Sequence, residues 1–102
     1  MIRHIVLLRF LPATPADTRA ALMTELAALK DRLPGIRRFE TLRNVAVEPP
    51  VMHGFLDGFV IDLADAAARD AYLADPEHRA IGARLVAACG GPDGLVVFDH
   101  EL

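Results

Sequence analysis

The order in which apolar patterns change along the chain constrains its fold more than any single motif does. Arg3–Phe10 is rich in β-branched and aliphatic residues with apolar side chains on both faces, as expected of a strand inside a sheet. Period-two alternation places His4, Val6, Leu8 and Phe10 on one face, and Arg3, Ile5, Leu7 and Arg9 on the other. Thr14-Pro15-Ala16-Asp17 then opens a helix, with Thr14 placed to cap it, Pro15 at its first position and Asp17 near its positive end. Leu22, Met23, Leu26, Leu29 and Leu33 recur at helical spacing until Pro34-Gly35 stops the helix. Ile36–Glu48 alternates loosely around Phe39, Leu42, Val45 and Val47, and its charges predict a wet edge strand. Pro49-Pro50 ends that strand, and Val51–Gly54 is predicted to turn. Phe55–Leu63 is a third strand. Asp65 is placed to cap a short helix running to about Ala74, and Asp75 to cap another that begins at Pro76. Gly90–Gly94 is a turn cluster, and Leu95–Asp99 is a closing strand.

This β-α-β-β-α-β order predicts an α+β, ferredoxin-like domain spanning residues 1–102. Its four-stranded antiparallel sheet carries both helical segments on one face, with the first strand between the third and the fourth. Ile5, Leu7, Leu56 and Val60 then fall on the opposite face, which is too apolar for open water. A second copy of the sheet is the simplest cover, so a homodimer with two sheets face to face, a dimeric α+β barrel, is expected. Apolar residues make up 53% of the chain, yet no run approaches the roughly 20 residues needed to cross a bilayer. A net charge of -3 leaves no electrostatic footprint for nucleic acid. Cys89 stands alone, without a disulfide partner or the companions of a zinc cluster. The chain enters its first strand without a leader pattern, so a cytoplasmic location is expected.

Candidate chemistry centres on Asp70–His78, which contains the only tyrosine and the Asp-Pro helix break. His78 lies in the first turn of its helix, in line with the inward stripe of Ile81, Leu85 and Cys89. The positive helix end and burial both disfavour imidazolium there, which leaves the neutral ring a general base requires. His4 shares the helix-facing side of the first strand and needs a partner if buried. Asp57, on the neighbouring third strand, is the predicted one. Tyr72 adds a phenol that could reach the same hollow. Asp57, Leu26, Met23, Phe59 and Ile81 are the predicted pocket walls. A structural reading stands beside each polar candidate: a capping hydrogen bond for His78, a strand-end hydrogen bond for His4, and core packing for Tyr72. The chain contains no glycine-rich phosphate loop, no Gly-x-Ser-x-Gly elbow and no His pair at metal-binding spacing on one helix.

Met1–Phe10, the block Ala71-Tyr72-Leu73-Ala74-Asp75-Pro76-Glu77-His78 and Val97-Phe98-Asp99 together resemble the stress-responsive A/B barrel family, small dimeric α+β barrel proteins. The resemblance spans nearly the whole chain. A plant member of that family folds a linear polyketide by an aldol step, without metal or organic cofactor. The resemblance therefore implies that His78, Tyr72 and His4 are catalytic, with no cofactor and no metal. His78 would take a proton next to a carbonyl, Tyr72 would steady the base and the enolate, and His4 would position a small hydrophobic or aromatic ligand. The chain departs from that cyclase in two places: Leu26 stands where it has a tyrosine, and Asp57 where it has a histidine. A non-catalytic binder of small hydrophobic ligands and a structural stress protein with a filled barrel are the other expectations.

Overall fold

The computed structural model describes residues 1–102. Strand β1 (Ile2–Leu8) leads to helix α1 (Ala16–Ala28), a 3-10 turn (Leu29–Asp31) and strand β2 (Ile36–Arg43). A one-turn helix α2 (Pro49–Met52) and strand β3 (Asp57–Leu63) follow. Helices α3 (Ala66–Ala74) and α4 (Pro76–Ala88), a 3-10 turn (Pro92–Gly94) and strand β4 (Leu95–Glu101) complete the chain. The strands form one sheet in the order β2-β3-β1-β4. Every pairing is antiparallel, so this is the ferredoxin-like α+β arrangement, with β1 inside the sheet.

Strand parity divides the two faces. Val6, Leu8, Phe59, Ile61 and Leu63 pack under the helices against Leu22, Leu26, Leu29, Ile81 and Leu85. Leu8, Ile61 and Leu63 are completely buried. Fully burying an aliphatic side chain contributes roughly 1.5–3 kcal/mol. A one-residue slip of β1 or β3 would carry these residues to the other face, so burial pins the register. On the outer face, Ile5 lies between Val60 and Phe98, and Leu7 between Gly58 and Val96. Val60 is covered within its own sheet, whereas Leu7, Leu56, Val96 and Phe98 are exposed.

Several local details differ from the sequence expectations. The Thr14 hydroxyl does not cap α1: it donates to the Ala88 carbonyl at 2.8 Å, tying the start of α1 to the end of α4. Pro15 is accordingly the residue before the helix rather than its first position. Strand β2 ends at Arg43 instead of Glu48, because Asn44 turns the chain. Its side-chain oxygen accepts from the Ala46 amide, and its side-chain nitrogen donates to the Phe55 carbonyl, both at 2.8 Å. Residues 49–52 wind into a helical turn, closed by His53 in the left-handed region at φ 53°. The two aspartate caps form as expected. Asp65 accepts from the Ala68 amide at 2.8 Å, and Asp75 from the His78 amide at 2.9 Å.

Candidate functional site

The helical layer does not close completely over the sheet. Between α4 and the β1–β4 half of the sheet lies a cavity of about 620 Å³, and both His4 and His78 are on its wall. His4 comes from the middle of β1 on the helix-facing side and is only 4% exposed. His78 is placed by the start of α4. Pro76 sets the first helical position, and Asp75 receives the His78 amide, so the imidazole leaves the first turn of a capped helix.

The partner of His4 is Asp99. Its Oδ1 lies 2.6 Å from His4 Nδ1, a charge-assisted hydrogen bond. Asp57 cannot take this role, because antiparallel pairing sets it opposite Leu8, whereas His4 faces Ile61 on β3 and Asp99 on β4. The expected carboxylate–imidazole pair therefore exists, but it is built with the other neighbouring strand. Arg69 reaches the second Asp99 oxygen at 3.5 Å and backs the pair from α3. In its neutral form, with Nδ1 donating to Asp99, His4 carries its lone pair on Nε2, which makes no hydrogen bond within the protein.

Tyr72 is 1% exposed and lies against both imidazoles. Its ring is 4.0 Å from the His78 ring, tilted by 41°, and 5.8 Å from the His4 ring in an edge-on arrangement. Its hydroxyl is sealed and makes no hydrogen bond, and the buried Nδ1 of His78 makes none of good geometry. Burial pushes the Tyr72 hydroxyl far above its ordinary range, so it is a neutral phenol at any physiological pH. Burial first, and second the charge His4 carries when protonated, hold His78 below its ordinary 6.5, although Asp75 and the Leu73 carbonyl pull the other way. The half-buried His78 ring is therefore neutral near pH 7. Asp75 itself lies at about 2, because Arg32 grips it with two hydrogen bonds and the His78 amide adds a third.

Of the other predicted pocket walls, Phe59 lines the cavity. Leu26 and Ile81 are closed into the core and Met23 packs on its edge, so these three do not line it. Their helical faces point at the sheet where it is fully covered. Tyr72 itself borders a second, smaller hollow of about 280 Å³ between α3 and the turn Leu33–Ile36. Sequence reasoning missed Asp99, Arg69 and Arg79, the last of which also lines the main cavity. For Asp99 a signal existed: it shares strand parity with Leu95 and Val97, and β1 was expected to touch the closing strand as well as the third. No group of three or more His, Cys, Asp or Glu side chains gathers in a metal-holding arrangement. No helix is long and apolar enough to cross a membrane.

A site with two imidazoles over an apolar floor can move protons and can hold a small carbonyl compound or aromatic ring. Known proteins share the frame around it. A dimeric ferredoxin-like protein of unknown function from Jannaschia sp. CCS1 is 33% identical, the match covering 99% of this chain and 98% of that one, with a TM-score of 0.89. An Arabidopsis thaliana protein is 19% identical over 100% of this chain and 95% of that one, with a TM-score of 0.88. The hydroxynitrile lyase of Passiflora edulis is 15% identical over 99% of this chain and 92% of its own, with a TM-score of 0.85, a likeness of fold alone. No curated protein matches the sequence. The model of the stress responsive A/B barrel domain matches residues 2–102, and the chain belongs to that family.

Proposed function

We propose that this protein is a homodimeric, cofactor-independent enzyme that moves a proton at the carbon next to a carbonyl in a small hydrophobic or aromatic substrate, as in aldol cyclisation, isomerisation or a lyase step. The observation that carries the reading is the Asp99–His4 pair on the wall of an apolar cavity. A carboxylate that fixes one imidazole nitrogen as donor leaves the other free to accept a proton, the arrangement of a general base. His4 Nε2 takes the proton from the substrate carbon. The electron pair moves onto the carbonyl oxygen, and neutral His78 donates a hydrogen bond to the developing enolate. The proton then returns from His4 to the product. Tyr72 holds the two rings apart by packing.

This reading exchanges the roles that family resemblance implies for the two histidines: His4 becomes the base and His78 the hydrogen-bond donor. That the fold can house an enzyme is supported by the hydroxynitrile lyase built on it. The homodimer is supported by the exposed apolar residues of the outer face and by dimeric relatives, one of them 33% identical. A second reading, a non-catalytic binder, is favoured by the mainly apolar wall.

Deuterium uptake at the α-carbon of 4-phenyl-2-butanone, followed by proton NMR, separates the two. The wild-type protein should accelerate uptake, and His4→Ala should reduce that acceleration by about 100-fold or more, the usual worth of a positioned base. Ligand-induced shifts of the histidine resonances without faster uptake would establish the binder instead.

A further inference from the structure

We infer that the ligand of this cavity carries a carboxylate or equivalent oxyanion, anchored at the cavity mouth by Arg79. The inference rests on reading the cavity as the ligand site and adds the chemical class of what it takes. It comes from an inventory of the cations. The chain has 11 lysines and arginines. Arg3 and Arg38 bind Asp62, Arg32 binds Asp75 and Glu77, Arg69 binds Asp70 and Asp99, and Arg84 binds Glu25. Arg9 donates to the carbonyls of His53 and Asp93, and Arg19 to those of Thr14 and Leu11. That leaves Lys30, Arg37, Arg43 and Arg79 with no hydrogen-bond or ion-pair partner, and of these only Arg79 lines the cavity.

Its isolation follows from the way the surrounding acids are used. Asp75 and Glu77 share the first turn of α4 with Arg79, but Arg32 occupies both, and Asp75 also caps the His78 amide. Asp99 is the only carboxylate on the wall, and it is engaged by His4 and Arg69. His78, adjacent to Arg79 in sequence, is held neutral by burial and does not compete for an anion. The cavity thus presents one unpaired cation at an exposed rim, an apolar floor including Val6, Phe59 and Leu85, and the His4–Asp99 pair at its wall. A ligand matching this pattern has an anionic head, an apolar body and a polar reacting group. The negative Asp99 sets the orientation, because an acid head placed at that end would meet a like charge. A guanidinium suits the head, since it can grip a carboxylate with two parallel hydrogen bonds.

The test uses a matched pair of probes, 4-phenylbutyrate and 4-phenylbutanamide, which differ in charge and barely in shape. Affinities are read by calorimetry, and occupancy of the cavity by the His4 and His78 resonances. Arg79 is exposed, so the acid should bind roughly two- to fivefold more tightly than the amide, and added salt should narrow the gap. In Arg79→Gln the two affinities should converge, whereas Arg79→Lys should keep part of the preference. Arg79 has no partner to lose, so these variants should fold as the wild type does. Equal affinities in the wild type, a preference that survives Arg79→Gln, or no binding of either probe at millimolar concentration would overturn the inference. Running the 4-phenyl-2-butanone deuterium assay on the same protein preparations, without either probe, keeps it distinct from catalysis. An acid preference that depends on Arg79, without faster α-carbon exchange, upholds the anchor and rejects the enzyme.

Discussion

Replacing Tyr72 by Phe should leave the fold intact and make it more stable. The substitution removes one oxygen from a side chain that is 1% exposed and whose hydroxyl makes no hydrogen bond. A buried hydroxyl without a partner has lost its water and gained nothing in exchange, at a cost of about 1–3 kcal/mol. Phenylalanine keeps the ring, and with it the contacts 4.0 Å from His78 and 5.8 Å from His4. The small void left by the oxygen offsets part of the gain, so a net stabilisation of about 1 kcal/mol is expected. For a domain of this size that corresponds to a rise in Tm of roughly 4–8 °C. Urea unfolding at equilibrium measures it: the midpoint should rise with an unchanged slope, and Tyr72→Ala should lose about 3–5 kcal/mol through the cavity it leaves. If Tyr72→Phe is instead less stable than the wild type by more than about 0.5 kcal/mol, the hydroxyl has a partner in solution and the reasoning fails. A loss of α-carbon exchange in a stabilised Tyr72→Phe would give the hydroxyl a role in the reaction beyond packing.

Stability should fall on the acid side in two stages, measured by urea unfolding at a series of pH values. His78 is held below 6.5 in the fold, so the unfolded chain takes up its proton first, and the stability present above that pH declines as pH falls through the folded value. Asp75, at about 2 in the fold against an ordinary 3.8, contributes above the unfolded value and loses that contribution as pH falls toward 2. His78→Gln should remove the first stage and leave the second. On the outer face, Leu7→Glu and Phe98→Glu each place a carboxylate where two sheets are proposed to meet, and sedimentation should show a monomer with the cavity residues unaffected. A dimer that persists in both variants would place the interface elsewhere.

Along the chain, the information that was local proved readable. The element order follows from apolar spacing, and the helix starts at Asp65 and Asp75 follow from a carboxylate three residues before an amide that needs an acceptor. Parity alone put His4 and Phe59 on the helix-facing side, and helical phase put His78 toward the sheet. What sequence could not supply is which strand offset brings which residues together. Asp57 and Asp99 both have the parity to face the helices, but only Asp99 lies opposite His4, because the burial of Leu8, Ile61 and Leu63 locks the register at the scale of the whole sheet. The same dependence on distant partners explains Thr14, which gives up its local cap for a carbonyl on α4, and Leu26 and Ile81, which are consumed by the core. Arg79 shows it most plainly: a cation is unpaired only after every other charge has found its partner, and that allocation is made by the tertiary structure.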